Sequence, residues 1–519
     1  MDQRNFESAH TIAFNRLCEI KDTTTKNGYI LKVKLAGLLI DIGEEGQIKE
    51  AIEEGIQTLQ NDRTHFSNFI HEGSTEYNLG NAKSGLFRIQ RTKPGFTFKP
   101  ENITLLTEAK NHYWRGYKLF QSTNSEIIPQ LFINLANALD SSGRVVEAIQ
   151  YYDKVLVKNP EFPQANASRS EALIWLNNLS GTYSINLLWQ AMQGFANAAK
   201  SNDIPGWLRE QWVKKKDILQ KDLLRHGQKK DDIDHDLQET KSEAEKHSPF
   251  RKFCLTNNLC LSEHSLYCNC VGASKDDLTI PKSITSIGGD FVPKMELRLN
   301  RLKSEFALAR LLYFESDQTK WESYENEVSF TELYEEECVG LRPEMLRTSF
   351  RICFGILDKI AHALCELFDL SEIGEPLAFE RFWRPRGKKL SQKQQARWEK
   401  INSIENYSLL ALYSQATDLN SYTGEWGDFK SWRNALEHEL LILTKGSGNS
   451  LDIFEAIKSS RRVLTVDYAE FKDKTIHLLQ LTRSAIFNFV FCVRTEGEKM
   501  LSGQGMPITL QPKQYPVDD

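Results

Sequence analysis

One short stretch, Ser431–Leu440, brings together residue types suited to proton transfer and to phosphate binding. It reads SWRNALEHEL and carries Arg433, Asn434, Glu437 and His438. An imidazole can accept and donate protons near neutral pH, and a guanidinium stays charged and matches phosphate oxygens in pairs. We therefore treat these four side chains as a candidate catalytic group and ask which elements would position them.

The stretch is predicted to be helical. No Gly or Pro interrupts Phe429–Thr444, and Ala, Leu and Glu favour helix formation, so one helix is expected over the whole run. At about 100° per residue, Asn434 and His438 share a face, whereas Arg433 and His438 stand roughly 140° apart. The long arginine side chain can close that gap, and a second copy across a two-fold axis could do so more easily.

The pattern of an arginine, a small polar neighbour and a histidine five positions on resembles the signature of the HEPN family. HEPN domains are small four-helix domains, and many are metal-independent ribonucleases that work as dimers. The resemblance implies proton transfer by His438, phosphate binding by Arg433, an orienting role for Asn434 and a supporting role for Glu437. It also implies a homodimer and no metal or cofactor. Asp358 and Lys359 are further polar candidates on a preceding helix.

A purely structural interpretation competes with this one. Arg433 and Glu437 have the four-residue spacing of a surface ion pair, and a lone histidine on a helix is more often a satisfied side chain than a catalytic one. The surrounding helices decide between the two.

Four amphipathic segments predict a bundle over residues 294–505. Three are Met295–Glu315, Met345–Phe368 and Tyr468–Met500, each with apolar residues at helical spacing, and the fourth is the helix of the Arg/His motif. We expect an all-α chain in which this HEPN-type bundle follows an N-terminal solenoid. The connection before the motif helix is about forty residues, far longer than an ordinary bundle loop.

That connection, residues 371–407, is a basic insertion. Its cations alternate with Phe382, Trp383 and Trp398, a combination that suits single-stranded RNA, because cations hold phosphates and aromatic rings stack on bases. The predicted RNA-binding residues are Arg381, Arg384, Arg386, Lys388, Lys389 and Arg397. The alternative is a basic loop that its aromatic residues pack onto the bundle. The local basicity in an otherwise acidic chain favours RNA binding.

The N-terminal part, residues 1–205, resembles an array of tetratricopeptide repeats. Residues 129–162 fit best, with Gly143 at the turn between two helices and Pro160 at the end. Weaker units begin near Leu35 and Tyr77. Because one repeat cannot bury its own face, several should stack into a solenoid with a groove that holds a peptide or protein partner.

Residues 206–293 are predicted to be a charged linker followed by an irregular connecting region. Four cysteines, Cys254, Cys260, Cys268 and Cys270, lie close together with His264. Their spacing fits poorly with the short ligand pairs of structural zinc sites, so free thiols are favoured over a metal.

Composition limits the class of protein. The net charge of −5 argues against a chain that is basic throughout, so any nucleic-acid surface must be local. No run of about 18 consecutive apolar residues and no secretory signal is visible, and nine cysteines fit a reducing compartment. We expect a cytoplasmic protein that does not bind a membrane.

These features favour a metal-independent endoribonuclease, a toxin-like or anti-phage effector regulated by its repeats. A catalytically inactive scaffold and an RNA-binding adaptor that does not cleave are the alternatives. The sequence contains no Gly-rich phosphate loop, so we do not expect ATP-driven action.

Overall fold

The computed structural model is almost entirely helical, as the sequence predicts. It describes residues 3–20, 23–61, 63–121, 123, 125–180, 184–226, 247–280, 283–284, 291–325, 327–331, 337–370, 378–383, 391–420, 424–445, 463–501 and 508–509. Four of the predicted RNA-binding residues lie outside these ranges: Arg384, Arg386, Lys388 and Lys389.

The described helices run in order along the chain. Up to residue 225 they are α1 (Gln3–Glu19), α2 (Lys26–Gly46), α3 (Lys49–Asn61), α4 (Arg63–Phe66), α5 (Glu72–Arg91), α6 (Thr104–Phe120), α7 (Ile128–Ser141), α8 (Val145–Lys158), α9 (Pro163–Ser180), α10 (Ile185–Ala198) and α11 (Gly206–Arg225). After it they are α12 (Pro249–Thr256), α13 (Phe291–Glu315), α14 (Glu322–Glu325), α15 (Leu341–Leu367), α16 (Phe379–Trp383), α17 (Gln392–Ser403), α18 (Tyr407–Asp418), α19 (Asp428–His438) and α20 (Tyr468–Leu501).

The chain forms two compact units. The first comprises residues 1–172, 193–215 and 402–414, and the second comprises residues 173–192, 216–401 and 415–519. The units therefore differ from the predicted boundaries at residues 205 and 293, because residues 173–192 group with the C-terminal part and 402–414 with the N-terminal part. Such long-range grouping leaves no local signal in the sequence.

Helical hairpins build the first unit. The predicted repeat at residues 129–162 forms α7 and α8, and the weaker units form the pairs α2/α3 and α5/α6. Small residues permit the close approach within a pair: a Cβ added at Gly80 would lie 2.5 Å from the ring of Tyr113. The hairpins are thus as predicted, and their assignment to the tetratricopeptide class stays a prediction.

Three long helices, α13, α15 and α20, pack on one another in the second unit. Their bounds lie close to the predicted ones because long runs with helical spacing are the most reliable signal in a sequence. On α15, Phe350, Leu357 and Leu364 follow one another at seven-residue spacing and are completely buried. The motif helix α19 packs on α15 as the fourth and shortest member.

The motif helix ends earlier than predicted. It stops at His438, and Leu440–Thr444 is a strand, β2, that pairs in parallel with β3 (Val463–Asp467). The expectation of one helix up to Thr444 is wrong, because Leu441–Leu443 are all buried, which a strand enclosed on both faces achieves and a helix with one buried face does not. A second strand pair joins β1 (Ser283–Ile284) and β4 (Ile508–Thr509) in antiparallel fashion.

Among the described residues, one helix is long and apolar enough to cross a membrane by length and composition, Tyr468–Lys499 within α20. Most of its apolar stretch is buried inside the protein.

The packing of the turn between α7 and α8 against Tyr407 of α18 can be tested by mutation. Gly143 has a φ of +86°, and an added Cβ would lie 2.5 Å from the carbonyl oxygen of Tyr407. We expect Gly143→Ala to lower the free energy of unfolding by about 2–4 kcal/mol, because strain from the positive φ adds to a steric overlap.

Gly95→Ala is the matched control, since Gly95 has a φ of +78° and nothing within 4 Å of an added Cβ. This variant should lower the free energy of unfolding by about 1–2 kcal/mol, because only the cost of the positive φ applies. Equal losses for the two variants in thermal or denaturant unfolding would contradict the close packing at Gly143.

Candidate functional site

Aromatic packing orients the motif helix. Phe429 and Trp432 are buried on its inner face, and their rings pack against Phe350 of α15 and Phe471 of α20. The Trp432 and Phe471 ring centroids are 5.3 Å apart. With this face buried, helical spacing turns the polar residues of α19 towards the outside.

Arg433 is held by an ion pair. Its Nη2 donates a hydrogen bond of 2.9 Å to Oδ2 of Asp358 on α15. The guanidinium carbon also lies 5.5 Å from the ring centroid of Phe354, one helical turn before Asp358. The arginine side chain is about one-third exposed, so it is fixed at one end and still open to solvent.

Asp358 connects two elements of the site. Its Oδ1 accepts a 2.8 Å hydrogen bond from the backbone N–H of Phe379, the first residue of α16, while Oδ2 accepts from Arg433. Burial raises the pKa of the Asp358 carboxyl, and the hydrogen bond from Phe379 and the positive charge of Arg433 only partly oppose this. The carboxylate therefore carries a desolvation cost that its two partners must offset. Lys359, the next residue, instead pairs with Glu305 at 2.9 Å.

The outer face of the motif helix borders a pocket of about 270 Å³. Arg433, Asn434 and His438 all line it, so a single chain brings the arginine and the histidine to one cavity. The second copy that their 140° separation suggested is not needed for that. Glu437 is exposed and is not among the lining residues, and its predicted ion pair with Arg433 gives way to the one with Asp358.

His438 is the last residue of α19 and is exposed. The pocket therefore has an accessible imidazole at the C-terminal end of the motif helix.

Two further cations border the pocket. Lys430 forms an ion pair with Glu380, and Arg381 is exposed at the rim. Arg381 was predicted from the basic insertion, whereas Lys430 was missed. Its signal is present in the sequence, since Lys430 stands three and four residues before Arg433 and Asn434 and so shares their face.

The described part of the insertion is less exposed than predicted. Arg397 is buried, with its guanidinium carbon 5.8 Å from the ring centroid of Phe382, and is therefore not accessible to RNA. Phe382 and Trp383 are also buried, so they pack the insertion onto the domain and do not present rings to bases. For these three residues the packing interpretation is the correct one.

The cysteine-rich segment holds two kinds of thiol. Cys254 and Cys260 are buried, as expected for free thiols, while Cys268 and Cys270 are partly exposed. In the described ranges, no group of three or more His, Cys, Asp or Glu side chains is arranged to hold a metal ion.

The fold and the site together define a helical bundle domain with an Arg/Asn/His pocket. Residues 288–496, which include α13, α15, α19 and α20, match the family model described as LA2681-like HEPN. The C-terminal part of the chain thus carries a HEPN domain, and the match does not extend to the N-terminal helical hairpins. Searches of the curated proteins and of the solved structures give no match.

The Asp358–Arg433 pair predicts a pH-dependent difference in stability. Because the folded-state pKa of Asp358 is raised, the folded protein binds this proton more tightly than the unfolded chain does. The resulting stabilisation is complete below the unfolded pKa and is lost as the pH rises through the folded one. Wild type should therefore gain stability relative to Asp358→Asn when the pH is lowered from 7 to the unfolded pKa of about 4.

The measurement compares melting temperatures of the two proteins across that range, so that contributions of all other groups cancel. A difference that is constant with pH, or that moves the other way, would show that burial does not dominate at Asp358.

Proposed function

We propose that this protein is a metal-independent endoribonuclease whose active site is the pocket on the motif helix. The observation that carries the proposal is that Arg433, Asn434 and His438 line one cavity of a HEPN domain. The additional cations Lys430 and Arg381 give the rim the positive charge that a polyanion requires.

Arg433 binds the scissile phosphate in this proposal. Its hydrogen bond to Asp358 uses Nη2, which leaves the other N–H groups of the guanidinium for phosphate oxygens. Asp358 and Phe354 keep the side chain in place, so little conformational entropy is lost when the phosphate arrives. The fixed charge then stabilises the phosphate as negative charge accumulates in the pentacoordinate transition state.

His438 transfers protons. Cleavage of RNA through its own 2′-hydroxyl requires removal of the proton from that hydroxyl and protonation of the leaving 5′-oxygen. An exposed imidazole at the pocket edge can reach one of these atoms while Arg433 holds the phosphate. Asn434, on the same face one turn earlier, orients the RNA or the histidine. Glu437 has no place in this scheme.

The partners follow from the same scheme. RNA is the substrate, with Arg384, Arg386, Lys388 and Lys389 of the insertion as a predicted extension of its path. A homodimer through the C-terminal bundle and a peptide or protein on the repeat groove remain part of the proposal. In this role the protein is a toxin-like or anti-phage effector that its repeat domain regulates.

Substitution at the pocket separates the enzyme from its alternatives. His438→Ala and Arg433→Ala should each reduce RNA cleavage in EDTA by about 10²–10⁴-fold, because neither residue can replace the other's task. Matched controls are His226→Ala, an exposed histidine just after α11, and Arg301→Ala, an exposed arginine of α13, which should leave cleavage unchanged.

Melting temperatures of His438→Ala, His226→Ala and Arg301→Ala should agree with that of the wild type. Arg433→Ala should melt lower, because the Asp358 carboxylate loses a partner, so its cleavage is measured well below its melting temperature. A wild type that cleaves no RNA under any tested condition would favour the scaffold. RNA binding without cleavage would favour the adaptor, and cleavage that depends on a divalent ion would rule out the assigned chemistry.

The exposed Arg381 at the rim of the pocket should make RNA binding depend on salt concentration. Arg381→Ala should reduce the slope of log K against log salt concentration for single-stranded RNA by about 0.7, the value for one lost phosphate contact. Binding assays over a series of salt concentrations measure this slope, with Arg301→Ala as the control. An unchanged slope would remove Arg381 from the RNA path.

A further inference from the structure

A second group of reactive side chains lies outside the HEPN pocket, in the segment between α12 and α13. Two short 3₁₀ turns, Glu263–Leu266 and Gly272–Ser274, flank Cys268 and Cys270. His264 belongs to the first turn. The proposed ribonuclease chemistry uses none of these residues.

Hydrogen bonds converge on the two sulfur atoms. The backbone N–H of Ala273 donates to Cys270 Sγ at 3.4 Å, and that of Cys270 donates to Cys268 Sγ at 3.3 Å. A Cβ added at Gly272 would lie 3.5 Å from Cys270 Sγ and 3.7 Å from His264 Nδ1, so thiol and imidazole face the same space.

These contacts stabilise a thiolate on Cys270. The hydrogen bond with the Cys268 thiol, followed by that with His264, lowers the pKa of Cys270 and outweighs its partial burial. The same contact raises the pKa of Cys268, which keeps its proton and donates it. The thiolate, with Asp277 and Glu263 nearby, raises the pKa of His264.

Access distinguishes this pair from the other cysteines of the segment. Cys268 and Cys270 are partly exposed and His264 is exposed. Burial raises the pKa of Cys254 to about 12 and that of Cys260 to about 11, so both stay protonated and unreactive.

The surrounding contacts hold the segment in place. The Tyr267 hydroxyl lies 3.0 Å from Ser184 Oγ, and Gln190 Nε2 donates to the Tyr267 carbonyl at 2.8 Å. Glu263 pairs with Arg494 of α20 at 2.5 Å. His264 and Tyr267 also border a cavity of about 190 Å³, which gives small molecules a route to the imidazole side.

We propose that Cys270 is a peroxide-reactive nucleophile and that Cys268 resolves its oxidised form. The Cys270 thiolate attacks hydrogen peroxide, an S–O bond forms and the O–O bond breaks, so the sulfur becomes a sulfenic acid and hydroxide leaves. The His264 imidazolium lies beside the thiolate and can protonate that hydroxide. Attack by the Cys268 sulfur then forms the disulfide and releases water, with the thiol proton passing to the leaving oxygen.

Alkylation rates test the nucleophile. With reduced full-length protein and iodoacetamide, the rate at Cys270 should stay within about twofold between pH 6 and 8, because the thiolate is already formed. An ordinary thiol gains roughly tenfold per pH unit in that range. Cys18, which is exposed, serves as the comparison within the same chain.

His264→Ala should restore a rate at Cys270 that increases with pH. Tyr267→Phe, which loses only the hydroxyl contact with Ser184, should leave the flat profile unchanged. A Cys270 rate that increases with pH in the wild type would overturn the proposal.

Mass spectrometry tests the resolving step. With limiting hydrogen peroxide, the wild type should lose two hydrogens in the peptide that contains Cys268 and Cys270. Cys268→Ser should stop at a Cys270 sulfenic acid that dimedone traps. Oxidation of Cys18 before this pair, or a Cys268→Ser protein that gives no trapped adduct, would refute the mechanism. Neither readout depends on RNA cleavage, so the proposed nuclease activity is tested separately.

Discussion

The aromatic contact between the motif helix and the long helices of the bundle determines the geometry of the candidate site. Phe429 and Trp432 pack against Phe350 and Phe471, and this contact fixes the rotation of α19 about its axis. The rotation places Arg433 against Asp358 and directs Asn434 and His438 into the same pocket. A helix turned by half a turn would bury these polar groups and lose the site.

Asp358 adds the electrostatic part of this constraint. Its carboxylate is costly to bury, and the Phe379 amide and the Arg433 guanidinium offset part of that cost. The same two bonds connect α15, α16 and α19. The position of the arginine is thus set by the bundle and by the start of the insertion together, and the pocket lies where these elements meet.

The sequence predicts the parts of this arrangement that depend on local pattern. Long runs with helical spacing give α13, α15 and α20 almost at their observed bounds, and the turn at Gly143 locates the α7/α8 hairpin. The spacing of Arg433, Asn434 and His438 along a helix also identifies three of the residues that line the pocket. Strand β2 is missed, because leucines favour helices and its partner is a strand from a distant segment. The ion pair with Asp358 and the burial of Arg397 are missed for a similar reason, since contacts between remote residues leave no periodic signal.

If the pocket cleaves RNA through the substrate's own 2′-hydroxyl, as we propose, the chemistry of the product ends will show it. In EDTA, a defined RNA should yield fragments with 2′,3′-cyclic phosphate or 3′-phosphate ends and 5′-hydroxyl ends. A substrate with 2′-deoxyribose at the cleavage position should remain intact. Fragments with 5′-phosphate and 3′-hydroxyl ends, or cleavage of the deoxy substrate, would contradict the proposed role of the 2′-hydroxyl.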